Sequence, residues 1–200
     1  MSAYLALGQR IEVGEHACPE CGQQVGGWGG YWRWMRGRGT ERVWIRRCRC
    51  SHCRRSHALL PDFLLERRLD EIHVIGQALS LSIGGGQGLR PVAEQLGVPM
   101  TTARDWRRRF QVNALLMVTT LLALAVHLDP APVLLSTAGH ESVALEALGS
   151  AWDRARQRFA ERTPELWRFW SLISGGHALG TNRSPPYPAR SGADWMTLIP

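Results

Sequence analysis

Two Cys-x-x-Cys pairs, Cys18-Pro-Glu-Cys21 and Cys50-Ser-His-Cys53, constrain this chain more than any other feature. Four thiols in paired spacing converge on one tetrahedron if the 28 residues between the pairs go out and return. The means to return are present. Trp28 to Met35 predicts one strand, Gly37 and Gly39 a turn, and Arg42 to Arg49 a second strand. Gly22 follows the first pair, where a tight turn is needed. The expectation is a ribbon over residues 1–60, with Zn²⁺ on Cys18, Cys21, Cys50 and Cys53 at about 2.3 Å. Two redox sites are the competing reading, but no β-α-β pattern surrounds them. Cys48 is left over, as a buried strand residue or an alternative ligand. His16, His52 and His57 flank a quartet that is already complete. Four thiolates leave a zinc site negative, and Arg46, Arg47, Arg49, Arg54 and Arg55 help to balance it. The same arginines suit phosphate.

The second constraint is Arg90 to Phe110, RPVAEQLGVPMTTARDWRRRF, which predicts a helix, a tight turn and a second helix. Pro91 favours a helix start, Val92, Ala93 and Leu96 share a face, and Gly97 supplies a positive-φ corner. Val98 fills the corner and Pro99 opens the second helix. There Ala103, Trp106 and Phe110 recur at core spacing, so Thr101, Arg104, Asp105 and Arg108 face outward. This is the pattern of a helix-turn-helix that sets its second helix in a DNA groove. Contacts are expected from Thr101, Thr102, Arg104, Asp105, Arg107, Arg108 and Arg109. Arg104 and Arg108 would read base edges, and Arg107 and Arg109 would meet phosphates.

Charge agrees with a polyanionic partner, double-stranded DNA. The net charge is +7, every basic residue is arginine, and the excess lies in residues 1–110, with 17 Arg against 10 acids. Residues 111–200 hold seven of each. No secretory leader is expected, since Glu12 and Glu15 interrupt the N-terminal stretch. Ala114 to Leu128 is the most lipid-like run; its length predicts a buried helix rather than a membrane span. Paired cysteines point to a reducing compartment, hence a cytoplasmic, nucleoid-associated protein.

Elsewhere, a short strand is expected within Leu5 to Val13, and a long helix from Pro61 to about Ser82, with Leu65, Leu69, Ile72, Gly76 and Leu79 in phase. Gly84 to Gly88 ends that helix as a connector, and residues 61–111 form the helix-turn-helix domain. Residues 112–180 are expected to be a helical interaction or dimerisation region. Its helices cover Val112 to Leu128, Ser142 to Arg162, and a third opened by Thr163-Pro164-Glu165 and ended by Gly175-Gly176. Trp152, Phe159, Leu166, Trp167, Phe169 and Trp170 there give more apolar surface than three short helices need alone and point to a homodimer. Thr181 to Pro200 reads as an extended tail. The fold class is mainly α with a small β zinc ribbon.

CPECG, WGGYWRWMR, RVWIRRCRCSHC, HALLPDFLLERR, the Arg90–Phe110 segment and NRSPPYP together resemble a bacterial family of zinc-ribbon, helix-turn-helix proteins. That family resembles the N-terminal DNA-binding part of insertion-sequence transposases, and the likeness spans about residues 16–188. It implies DNA binding as a transposon-associated accessory protein or a regulator. Such transposases continue into a catalytic domain with three metal-binding carboxylates. Here Asp129, Asp153 and Asp194 are the only aspartates past the helix-turn-helix, and no strand pattern surrounds them, so no enzyme is expected. Ser174 and His177 lack nucleophile-elbow spacing. Two alternatives stand: the targeting half of a transposase whose catalytic half is a separate chain, or a protein-interaction module.

Overall fold

The computed structural model describes residues 1–37 and 39–180; the expected tail from Thr181 lies outside them. The chain divides into two compact units, Met1–Glu71 and the residues from Ile72 onward.

The first unit opens on helix α1 (Ser2–Leu7) and a 3₁₀ turn (Gly8–Arg10), where a strand was expected. Two tertiary contacts by one side chain hold it there. The Tyr4 hydroxyl donates to the Trp44 carbonyl at 3.0 Å, and its ring meets Phe63 edge-on. A three-stranded antiparallel sheet follows, in order β1 (Val25–Arg36), β2 (Thr40–Cys50), β3 (Ser56–Leu59). The first two are the expected hairpin, longer at both ends; β3, four residues long, was not expected. Between Gly27 and Gly30 the register slips by one residue, with Gly29 at φ +66. Beyond the slip Trp32 pairs with Trp44 and Trp34 with Arg42. Alternation therefore sends Met35, Val43 and Ile45 to one face, at most 1 % exposed, and Trp32, Trp34, Arg42 and Trp44 to the other.

The long helix expected from Pro61 is absent from Pro61 to Glu71. That stretch runs back along β1 instead. The Arg36 N–H donates to the Leu69 carbonyl at 2.7 Å, the Glu71 N–H donates to the Arg36 carbonyl at 2.8 Å, and the Arg36 guanidinium grips buried Asp70 at 2.9 Å. Peptide groups spent on a neighbouring strand cannot also close helical turns. Leu65 is buried without helical phasing, and Leu69 is half exposed.

In the second unit, α2 (Ile72–Leu79) passes into a π-helical turn (Ser80–Gly84) that ends at the glycine run. Helices α3 (Leu89–Leu96), α4 (Met100–Leu128), α5 (His140–Phe159) and α6 (Leu166–Ile173) follow. No boundary falls at residue 111, because α4 runs through it for 29 residues. It packs along α5, whose Ala144, Ala147, Ala151 and Ala155 are fully buried and allow close approach. Arg154 closes the lower end of α4. Its guanidinium donates to the carbonyls of Ala125, Asp129, Ala131 and Pro132, which places a cation at the negative end of the helix dipole. By length and composition α4 is apolar enough to cross a membrane, with 39 % of its most apolar 18-residue window buried. Ala114, Met117, Leu121, Leu124, Ala125 and Leu128 are buried, as expected of a core helix, and a core helix of this length is as apolar as a spanning one.

Of the six apolar residues expected to serve a homodimer, Trp167, Phe169 and Trp170 are buried within the unit, while Trp152, Phe159 and Leu166 are half-buried. Trp170 and Phe169 are fully buried, Trp170 meets Phe110 edge-on at 5.8 Å, and Trp152 Nε1 donates to the Pro164 carbonyl. Most of the outward apolar residues described in this unit are on α4, Val112, Leu115, Leu116 and Val126 among them, and Leu134 follows it.

Candidate metal centre and basic helix

The sheet brings the two cysteine pairs together because Cys50 ends β2 opposite Val25, the first residue of β1, and Cys18 and Cys21 lie just before that strand. Each pair sits in the same backbone loop. The Cys18 N–H donates to the Gln23 carbonyl at 2.7 Å, and the Cys50 N–H donates to the Arg55 carbonyl at 2.9 Å, five residues on in both cases. The residue after each second cysteine is left-handed: Gly22 at φ +75 and Arg54 at φ +60. Sequence pointed to the first and missed the second, since arginine carries no turn signature.

All four sulfurs lie within 4.8 Å of one another, with Cys18–Cys53 and Cys21–Cys50 at 3.5 Å. Sulfurs about 2.3 Å from one ion at tetrahedral corners would be roughly 3.8 Å apart, so the quartet fits a metal ion. Its electrostatics agree. The Cys53 backbone N–H, ahead of burial and helped by the Cys21 thiol, pulls the Cys50 thiol down to about 7. The Cys53 thiol goes the other way. Although the Arg55 backbone N–H favours its thiolate, burial and the sulfurs of Cys18, Cys50 and Cys21 push it up to about 12. Burial raises Cys18, yet the backbone N–H groups of Glu20 and Cys21, with Cys53 and His57, leave it lowered. Four thiolates this close would repel one another, and a cation among them would relieve that repulsion.

His57 lies beside the quartet without belonging to it, its Nε2 3.4 Å from Cys18 Sγ. Cys48 is outside it. That side chain is 1 % exposed, its thiol faces the His57 carbonyl, and burial pushes its pKa up. With Val25, Cys18 and Cys50 it forms the small core under the site. The arginines mostly bind carbonyls and hydroxyls: Arg46 to Gly29, Arg49 to Arg54 and Arg47 to Ser56 Oγ. Arg55 reaches Glu20 at 3.6 Å, linking the two loops.

In the second unit α3 ends at Gly97, which is left-handed (φ 64, ψ 31), and Pro99 precedes α4. Val92, Ala93, Ala103, Trp106 and Phe110 are each at most 2 % exposed. Thr101, Arg104 and Arg108 are exposed, and Thr102 and Asp105 are half-buried. The other arginines are less available than expected. Arg107 donates to both carboxylate oxygens of Glu141 at 3.3 Å and to the Ser82 carbonyl at 3.2 Å. Asp105 accepts from Arg108 at 2.8 Å and from Arg109 at 2.7 Å. Glu141 gave no sequence signal, being 34 residues from its partner.

A family model described as a domain of unknown function (DUF6431) matches residues 18–87, roughly a third of the chain. It takes in the cysteine quartet, the three strands and α2, and stops before α3. Comparison with curated proteins finds no match, and comparison with solved structures finds none.

Proposed function

We propose that this protein binds double-stranded DNA through a helix-turn-helix made of α3, the Gly97 corner and α4, while the cysteine quartet holds a structural Zn²⁺. One observation carries the DNA reading. Burial of Ala103, Trp106 and Phe110 fixes the rotation of α4, so Thr101, Arg104 and Arg108 emerge together on its open side. Arg104 and Arg108 are assigned to base edges and Thr101 to phosphate or a thymine methyl. Asp105 holds the Arg108 and Arg109 side chains in preset positions, Arg109 being assigned to phosphate. Arg107, spent on Glu141 and Ser82, becomes a brace between helices instead of a phosphate contact.

Zinc is favoured because four thiolates in a small tetrahedron select it over hard cations, and two closed loops leave no open coordination position. When bound it supplies cross-linking and no chemistry. A regulator or transposon-associated accessory, associated with the nucleoid, is the setting this reading fits. The charge-free outward stripe of α4 from Val112 to Val126 would let two copies meet by the same patch, giving a homodimer on paired half-sites.

Substitution separates these roles. Arg104→Ala is expected to cost about 1–3 kcal/mol on a preferred duplex and little on random duplex. Arg109→Ala weakens both alike and lowers the salt slope by about one. Arg107→Ala leaves DNA affinity nearly intact but lowers folding stability by about 1 kcal/mol. Fluorescence anisotropy on both duplexes, with thermal melts, reads all three. Equal losses on specific and random DNA for Arg104→Ala would reduce α4 to a backbone grip.

A further inference from the structure

The sheet has a face that the metal centre does not use. Beyond the register slip, Trp32 and Trp34 stand on it at 41 % and 56 % exposed, large areas for indoles. Arg42, opposite Trp34 in the ladder, lays its guanidinium over both rings, 5.3 Å from the Trp32 centroid and 5.6 Å from that of Trp34. Trp44, opposite Trp32, braces it edge-on at 5.3 Å. Gly30 makes this possible, since a Cβ there would lie 2.5 Å from the Trp44 ring. The neighbour of Trp44 along β2 on this face is Arg46. The only acid in either strand, Glu41, pairs with Met35 and so alternates to the opposite face. The face is thus aromatic, cationic and free of carboxylates from either strand.

We propose that this face, built on Trp32, Trp34 and Arg42, binds single-stranded DNA by stacking unpaired bases on the indoles while the arginines meet the phosphates. Duplex bases are stacked on one another and cannot offer their faces, so the chemistry selects single strands. Arginine on an indole is itself a stand-in for the complex. The guanidinium occupies a ring face that a base would take, and on release it is placed beside the backbone. The single-stranded class follows from the face alone; the choice of DNA over RNA rests on the DNA reading of α4.

The test uses the full chain and three probes: a 12-nucleotide oligothymidine, the matching oligouridine, and a duplex. Oligothymidine is expected to bind with quenching of tryptophan fluorescence. Trp34→Ala should weaken it about tenfold or more, whereas Trp34→Phe, which keeps an aromatic face, should stay within about threefold. Arg42→Ala should lower the single-strand salt slope by about 0.7. Oligothymidine binding without duplex binding supports this face and removes the α4 reading. Wild-type affinity in both Trp34→Ala and Trp32→Ala overturns the proposal, as does no oligothymidine binding at low salt. Tighter binding of oligouridine overturns the choice of DNA.

Discussion

Cys18→Ser is expected to release the bound metal and unfold the sheet, while most of the helical signal survives. The core under the site is small: Cys18, Val25, Cys48 and Cys50, with Val13, Cys21, Cys53 and Leu59 packed around it. Five of these eight residues are cysteines, so apolar burial alone is a weak support. A structural Zn²⁺ contributes on the order of 10–16 kcal/mol at neutral pH, more than a core of this size supplies. Removing one ligand leaves three crowded thiols and no full set of donors. Every helix except α1 lies from Ile72 onward, so far-UV dichroism should fall little. Near-UV dichroism should lose the bands of Trp28, Trp32, Trp34 and Trp44. Chelation of the wild-type protein should reproduce both changes. Full metal content with an unaltered near-UV spectrum would contradict the assignment.

Gly76→Ala should be the most damaging one-carbon change in the helical unit. Alanine is the better helix former by about 1 kcal/mol, which on its own predicts stabilisation. Packing decides otherwise. A Cβ at position 76 would lie 2.0 Å from Trp167 Cδ2 and 2.3 Å from Cγ and Cε2. Those are ring atoms of a residue 6 % exposed and held edge-on by Trp170 at 5.8 Å. The indole cannot swing aside, so α6 must shift as a whole. The expected net loss is about 3 kcal/mol, or roughly a 10 °C fall in the melting temperature. Trp167→Leu should rescue part of it, because the two changes act on one contact. An unchanged or higher melting temperature for Gly76→Ala would show that α2 and α6 are not packed as described.

What sequence discloses here depends on how local the cause is. The cysteine spacing and Gly22 are local, and so are the Gly97 corner and the recurrence of Ala103, Trp106 and Phe110. All of these stand in the structure as expected. The helix ends near Asp129 and Gly175 also follow from local chemistry. Pro61–Glu71 shows the opposite case. Its leucines repeat at helical spacing, but two backbone bonds and the Asp70 ion pair to Arg36, some 34 residues away, hold it against β1. Arg107 teaches the same lesson: its helical position predicts an open cation, and Glu141 on another helix takes it up. Tryptophan content misled for a related reason. Counting Trp167 and Trp170 says nothing of their enclosure among α2, α4 and α6, while among the described residues the exposed indoles are the β1 tryptophans, on a strand already assigned to the ribbon.

Selection of bound duplexes from a random pool by the full chain, followed by a salt titration on the enriched sequence, tests DNA recognition most directly. The account predicts one enriched half-site containing guanine, repeated with two-fold symmetry if the α4 stripe pairs two copies. It also predicts an affinity that falls steeply and linearly with the logarithm of salt. A pool that returns unenriched, with binding indifferent to salt, would contradict it.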